Sequence, residues 1–431
     1  MQHPASIPPV VPATDAPAAI PRASYAALTL LFFVYALNYI DRSLIFILFP
    51  PIKKEMALSD LQMALLGSTA FVIFYTLLGI PCGRLADRVV RKNMIAVGLL
   101  IWSLFSGLTG FASRFETLFL CRLLVGVGEA TLGPAALSLL SDYFPPHRRA
   151  TASAIYSAGI PFGAGLALFL GGQIGQALGW RWAFFLLGFP GALLAIVVYL
   201  MREPQRGQRD TAPPNPSDLH AADVGLLFRI PALRYHYLGY AFSSLAATCL
   251  SMWVPTYLSR TYGLPLSTVG LYTGVTAIVG GLCGSLIGGA CADLWRAHHR
   301  GGRMLFCAVA ALVSCVGWLI LLRTAWLPLF IVCYGVIMGA GLSWLGPAAA
   351  DMQDLAGPKL RGLGIGVYFF IVNAIAAGIA PPCIGRLNDA LGVTRDASQM
   401  RISLLVAPAA CIVSAILLWL GARAAARTGR P

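Results

Sequence analysis

Long runs without a single charged residue alternate along this chain with short polar breaks. The stretches 61–83, 93–113, 150–180, 182–201, 235–259, 261–292, 304–322, 324–350, 362–385 and 402–422 contain no Asp, Glu, Lys or Arg. Each meets or approaches the roughly 20 residues that a helix needs to cross a hydrocarbon core. Two further apolar segments, about 24–50 and 116–141, have the same length but are interrupted by charge. A membrane β-barrel shows strands of ~10 residues with alternating polarity. These runs are unbroken and rich in Leu, Ala and Gly, so they predict helices. The pattern therefore predicts an all-α membrane protein of twelve transmembrane helices.

Composition agrees. Of the 431 residues, 58% are hydrophobic and 11% charged, against about 25% charged in an ordinary soluble domain. The formal charge of +14 suggests nucleic acid until the cations are sorted by loop. Alternating sides along the chain puts 20 of the 31 Lys and Arg on the face that holds both termini, nine on the other, and Arg42 and Arg122 within spans. By the positive-inside rule both termini are then cytoplasmic, and the basic charge reports topology rather than a nucleic-acid partner. The ten Cys lie in or beside apolar spans without a CxxC pair, which gives no metal site and no disulfide framework. Residues 1–22 are rich in Pro and Ala, lack an apolar signal core, and are expected to be a disordered cytoplasmic tail.

The halves repeat. Residues 126–136 and 339–349 share G-x-G-x-x-x-x-G-P-A-A at a separation of 213 positions, and G-R-L-A-D at 83–87 is echoed by G-A-C-A-D at 289–293. The longest polar gap contains five prolines and divides the chain into a bundle at 23–201, a cytoplasmic linker at 202–232, a second bundle at 233–422 and a tail at 423–431. Within the linker, Asp218–Ile230 is a candidate interfacial helix. Two parallel six-helix repeats are a transporter architecture that works by alternating access. Small residues common to both copies serve close helix packing. Residues that differ are candidates for function: Glu129 corresponds to Leu342, and Arg122 to Gly335.

Asp41 and Arg42 in the first span, and Arg122 and Glu129 in the fourth, are ionisable groups well inside apolar segments. Each costs about 2.5–3.5 kcal/mol at a helix centre on insertion scales, so four together require compensation. One reading is a structural network that ties the two helices; the other is a functional site. Arg122 and Glu129, seven residues apart, share a helix face at roughly 10 Å along the axis. Helix direction places Asp41, Arg42 and Arg122 at similar depth, with Glu129 nearer the middle. Low dielectric disfavours an ionised carboxylate and a neighbouring Arg favours it, so Asp41 and Glu129 are the candidate proton-coupling groups. Arg42 and Arg122 suit the bidentate binding of an anion, and Arg122 is expected to hold the head group. The second half is expected to offer no acidic or basic residue within a span, contributing instead Trp253, Tyr272, Ser343, Trp344, Tyr368, Phe369, Phe370 and Asn373. A charged half facing an uncharged one predicts an anionic, amphipathic small-molecule substrate.

The segment G-R-L-A-D-R at 83–88, followed by Arg91 and Lys92, resembles the loop signature of the major facilitator superfamily, departing from it at Val90 where Gly is usual. That resemblance implies a cytoplasmic gate at Gly83, Asp87 and Arg88. N-Y-I-D-R at 38–42, L-L-G-S-T-A-F at 65–71, R-L-L-V-G-V-G-E-A at 122–130, S-D-Y-F-P-P at 141–146, W-R-W-A-F-F at 180–185 and W-V-P-T-Y-L at 253–258 resemble the spinster branch. This implies transport of lysophospholipids or sphingosine phosphate, with proton coupling in some members, through Asp41, Arg42, Arg122 and Glu129. A neighbouring branch of organic-anion transporters shares the helix-one and helix-four motifs and implies proton symport of sugar acids. No G-x-x-x-x-G-K-[ST] loop is present, which argues against direct ATP drive. No catalytic constellation, cofactor or metal is expected. The chain is expected to be a monomeric carrier in a bacterial inner membrane and not an enzyme.

Overall fold

The computed structural model describes residues 20–86, 88–206, 224–357 and 360–427. The expected tail therefore lies almost wholly outside the described residues, as do Asp87 and most of the linker. The described end of the linker forms a short helix, Val224–Phe228, inside the expected interfacial segment.

No strand occurs among the described residues. Eleven helices are long and apolar enough to cross a membrane: α1 Arg22–Ile47, α2 Asp60–Gly79, α3 Arg91–Phe111, α4 Phe115–Tyr143, α5 Thr151–Ala177, α6 Trp180–Leu200, α8 Leu266–His298, α9 Gly302–Arg323, α10 Leu327–Ala356, α11 Leu363–Ala390 and α12 Ala397–Arg427. The twelfth is α7, Pro231–Tyr262, whose 32 residues are the most polar of the set. At 1.5 Å per residue it is ~48 Å long, ample for a crossing.

The repeated motif acquires a mechanical meaning. Proline removes a backbone donor and clashes with the carbonyl four residues back, so Pro134 and Pro347 interrupt their helices. α4 breaks after Glu129 and α10 after Leu342. At each break a hydroxyl bonds the carbonyl three residues back: Thr131 to Gly128, and Ser343 to Ala340, both at 2.8 Å. The preceding glycines are packing positions. A Cβ on Gly126 would sit 2.4 Å from the Phe71 carbonyl oxygen of α2, and one on Gly128 would sit 2.7 Å from the Gly98 oxygen of α3.

The halves meet along two seams. In the α5–α8 seam, Gly165 and Gly274 oppose each other so closely that a Cβ on either would lie 2.5 Å from the other's carbonyl oxygen. In the α2–α11 seam, two π-helical turns, Leu65–Thr69 and Ala374–Ile379, face one another. The Ser68 hydroxyl donates to the Ala377 oxygen and Thr69 to the Gly378 oxygen. Such turns often mark functional positions in helices.

The face away from the termini is closed. Asp60 accepts from Lys53 at 2.6 Å and from both terminal nitrogens of Arg260 at 2.8 Å. Asp389 caps the start of α2, accepting from the backbone of Asp60 and Leu61 at 2.8 and 2.9 Å. Gln176 does the same for α8, accepting from the Leu266 backbone at 3.0 Å. Phe49 packs edge-on against Trp253 with ring centres 5.8 Å apart. Except for the Lys53 pair, every one of these contacts joins one half to the other. Beside them, the Trp180 indole and then Arg181 hold the Glu55 carboxyl below the usual carboxylate range.

On the terminal face the described ion pairs stay within a half. Arg91 binds Asp142 and Glu203, and Arg303 binds Asp293, Asp351 and Asp354. Asp60→Asn is therefore expected to open the far face. Losing the buried carboxylate that pairs with two partly exposed cations is worth on the order of 1–3 kcal/mol, a population shift of about 5- to 150-fold. The readout is labelling of a cysteine placed at buried Ala64, with the exposed Cys283 and Cys383 changed to Ser. Labelling equal to that of the parent would reduce the network to a surface ornament.

Candidate functional site

The four intramembrane charges converge between α1, α3 and α4. Asp41, Arg122 and Glu129 are buried, whereas the Arg42 side chain retains 18% exposure. Asp41 and Arg42 are neighbours in sequence, but consecutive helical residues point about 100° apart, so they serve different partners. Asp41 turns to α3, where its Oδ1 accepts from Ser106 Oγ at 2.5 Å. Arg42 turns to α4, where Nη2 and Nε donate to Glu129 Oε2 at 2.7 and 3.2 Å.

Aromatic rings surround the exposed guanidinium. Its central carbon lies 4.8 Å from the Tyr39 ring centre, 4.2 Å from Phe71 and 4.9 Å from Tyr75. These contacts hold a planar cation in place without neutralising it. Tyr35 continues the aromatic lining, set edge-on against Tyr39 and stacked on Tyr156 of α5 at 4.3 Å.

Arg122 departs from the sequence expectation. It has no exposure, and its terminal nitrogens donate to backbone carbonyls of α1: Nη1 to Asp41 at 2.9 Å and Nη2 to Arg42 at 3.2 Å. It clamps the helix that carries Asp41 and Arg42 instead of facing a cavity. The bonds from Arg122 to the Asp41 and Arg42 carbonyls put these three residues at one level, and the Arg42 side chain spans the distance to Glu129. Three buried polar atoms here have no hydrogen-bond partner: Asp41 Oδ2, Glu129 Oε1 and Arg122 Nε. Both carboxylates therefore keep one unbonded oxygen, a place for a proton.

Of the neutral residues of the second half, Phe369 and Phe370 are exposed, Tyr368 and Trp344 are buried, and Trp253 belongs to the closed far face. Asn373 turns back onto its own helix, bonding the Phe369 oxygen at 2.8 Å. In the expected gate, Gly83 has open space at its Cβ position and Arg88 is exposed; Asp87 lies outside the described residues. Arg91, a loop cation in the sequence, is instead buried against Asp142 at 2.5 Å, Glu203 at 2.8 Å and Ser138 at 3.0 Å.

A second correction concerns the C-terminal half. α10 runs past the charge-free window that ends at 350, so Asp351 is buried within a helix; His236, at the edge of the 235–259 window, is buried because α7 already starts at Pro231. Comparison of the repeats could have found Asp351, since its partner at a separation of 213 is Ser138. Nothing local marks Asp60, Arg260 and Asp389, which meet only in the fold.

Residues 31–381 match the family model described as Major Facilitator Superfamily. A Mycolicibacterium smegmatis protein described as an MFS-type efflux pump is 33% identical over 93% of each chain. Protein spinster homolog 3 of Danio rerio is 29% identical over 90% of this chain and 82% of its own length. A probable L-galactonate transporter of Escherichia coli is 28% identical over 64% of this chain and 62% of its own. A crystal structure of a bacterial homolog of the human lysosomal transporter spinster, inward-facing and occupied, superposes with a TM-score of 0.80 at 25% identity, covering 93% of this chain and 97% of that one. With its twelve helices, its repeated halves and these relatives, the chain belongs to the major facilitator superfamily and is a transporter that resembles its spinster branch, not an enzyme.

Proposed function

We propose that this transporter carries an anionic amphipathic lipid, of the lysophospholipid or sphingosine-phosphate kind, together with protons. The observation that supports this reading most is the Arg42–Glu129 pair: a caged, partly exposed cation whose ionic partner is a fully buried carboxylate. An incoming anion competes with Glu129 for the same guanidinium. Glu129, deprived of that pairing in low dielectric, takes up a proton. Release of the anion restores the pair and expels the proton. Substrate and proton are thereby linked through one side chain. Asp41, held on α3 by Ser106, is the second proton acceptor, and Arg122 fixes the segment that carries both groups.

The lipid assignment draws on the apolar character of the second half, where Phe369 and Phe370 are exposed, and on the spinster relatives. The resemblance to sugar-acid transporters supports the second reading, a small hydrophilic anion at the same Arg42. The excess of Lys and Arg on the terminal face favours cytoplasmic termini in a bacterial inner membrane. The closed far face is then the outer one, with the carrier inward-facing.

The test is flux into proteoliposomes under an imposed pH gradient, comparing lysophosphatidic acid with galactonate. Gradient-dependent movement of the lysolipid supports the lipid reading. Movement of galactonate alone would replace it with the sugar-acid reading, and gradient-independent flux of either would remove proton coupling.

A further inference from the structure

The second half holds a buried carboxylate that this transport scheme leaves unused. Asp351 on α10 is 4% exposed, its Oδ1 stands 3.6 Å from Arg303 Nη1, and its Oδ2 has no hydrogen-bond partner. Arg303 makes its closer bonds elsewhere, to Asp293 at 2.7 Å and Asp354 at 2.9 Å, whose side chains are 68% and 42% exposed. Three carboxylates thus share one guanidinium, and the most buried of them is the worst served.

The first half solves the same problem differently. There Arg91 is met by two carboxylates and by the hydroxyl of Ser138, the residue that corresponds to Asp351 in the repeat. Where one copy has a neutral hydroxyl the other has an acid. The packing of the fold therefore does not require a charge at this position.

The surroundings are polar and incompletely bonded. From α7 come Tyr240 and His236, the latter with Nε2 2.8 Å from the Ala348 oxygen, one turn along α10. His236 Nδ1 is buried and without a hydrogen-bond partner, and the buried Tyr240 hydroxyl meets Cys307. Asp293 and Arg296 face the site from α8, Arg303 and Cys307 from α9, and Asp354 from α10 itself. Tyr368 of α11 packs on His236 at 5.4 Å, while α12 contributes apolar Leu418 and Ala422 to the same cluster. Cys307 and Trp344 also line a cavity of about 20 Å³, in which Ser314 Oγ and Trp344 Nε1 have no hydrogen-bond partner. That is room for one water with polar neighbours.

An ionised carboxyl buried with an unbonded oxygen is costly, and a bound proton removes the cost. We propose that Asp351 is a second proton-binding site of this carrier, in the C-terminal half and separate from Asp41 and Glu129. With Asp351 neutral, Arg303 serves Asp293 and Asp354 alone. With Asp351 ionised, the three compete for it. Proton occupancy thereby sets how firmly the α8–α9 turn is tied to α10 on the terminal face. The inference does not depend on which substrate Arg42 binds.

Infrared difference spectra of the purified full-length protein test it without substrate. Subtracting the spectrum of Asp351→Asn from that of the parent isolates one carboxyl. The expected difference contains the C=O stretch of a protonated acid, growing as pH is lowered across the carrier's working range and vanishing on return. It should persist when Asp41→Asn and Glu129→Gln are present in both proteins, and Asp351→Glu should move its frequency. A difference without that band at every pH, from a variant with the parent's melting temperature, would show that Asp351 stays ionised beside Arg303. If Asp351→Asn does not fold, the parent-minus-Asp351→Glu spectra decide alone, and no protonated band in either ends the proposal.

Discussion

Arg42→Ala is expected to abolish measurable binding of an anionic lysolipid and to destabilise the protein at the same time. It removes the partly exposed cation and strands Glu129, whose side chain has no exposure and accepts twice from Arg42. Breaking a buried ion pair from one side costs about 3–5 kcal/mol, so lost binding by itself is ambiguous. Two companion variants separate the causes. Arg42→Ala with Glu129→Gln removes both charges and should recover most of the stability but none of the binding. Arg42→Lys keeps the charge and loses the planar fork that sits among Tyr39, Phe71 and Tyr75. A charge-assisted hydrogen bond is worth roughly 1.5–3 kcal/mol, so its affinity should fall about ten- to a hundredfold. Thermal-shift titration with lysophosphatidic acid, and with a monoacylglycerol of the same chain as the uncharged control, measures both quantities. If charged and neutral lipids lose affinity equally, Arg42 supports the fold and does not bind the head group. Arg122→Lys should behave in the opposite way, weakening both lipids alike, because Arg122 acts on the backbone of α1.

The second large effect is expected at Glu129. Glu129→Gln keeps the shape and one acceptor for Arg42 but cannot gain or lose a proton in the working range. Concentrative uptake driven by a pH gradient should fall to background, while exchange of substrate across the bilayer stays within about tenfold of the parent, a change of some 1.4 kcal/mol. Freed from a permanent anionic competitor, Arg42 should bind the anion as well as before or more tightly, and with less dependence on pH. Proteoliposome uptake and counterflow measured on the same preparation give the two rates. Normal gradient-driven accumulation by the variant would transfer the coupling role to Asp41 or remove it altogether. Asp41→Asn is the matched comparison, with Ser106 able to bond the amide as it bonds the acid.

The membrane-spanning helices, the internal repeat and the four intramembrane charges were legible in the chain because each is a local property. A run of apolar residues crosses hydrocarbon whatever its neighbours are, and a charge inside such a run is costly wherever it points. The shared small residues were likewise legible as packing positions, and Gly126 and Gly128 hold those places, whereas the break at Pro134 emerged only with the structure. Partnership was not legible. Whether Arg122 or Arg42 faces the cavity depends on the rotation of α1 and α4 about their axes, and the tertiary structure turns one onto backbone carbonyls and the other into an aromatic cage. Charge-free windows also end where the first charge appears, not where the helix does, so they hid Asp351, and being drawn on Asp, Glu, Lys and Arg they passed over His236. The closure at Asp60 joins Lys53, Arg260 and Asp389 from three separate segments of the chain. No local pattern marks it, because ion-pair energy depends on distance in space and on burial, and only the packing of the two halves determines either.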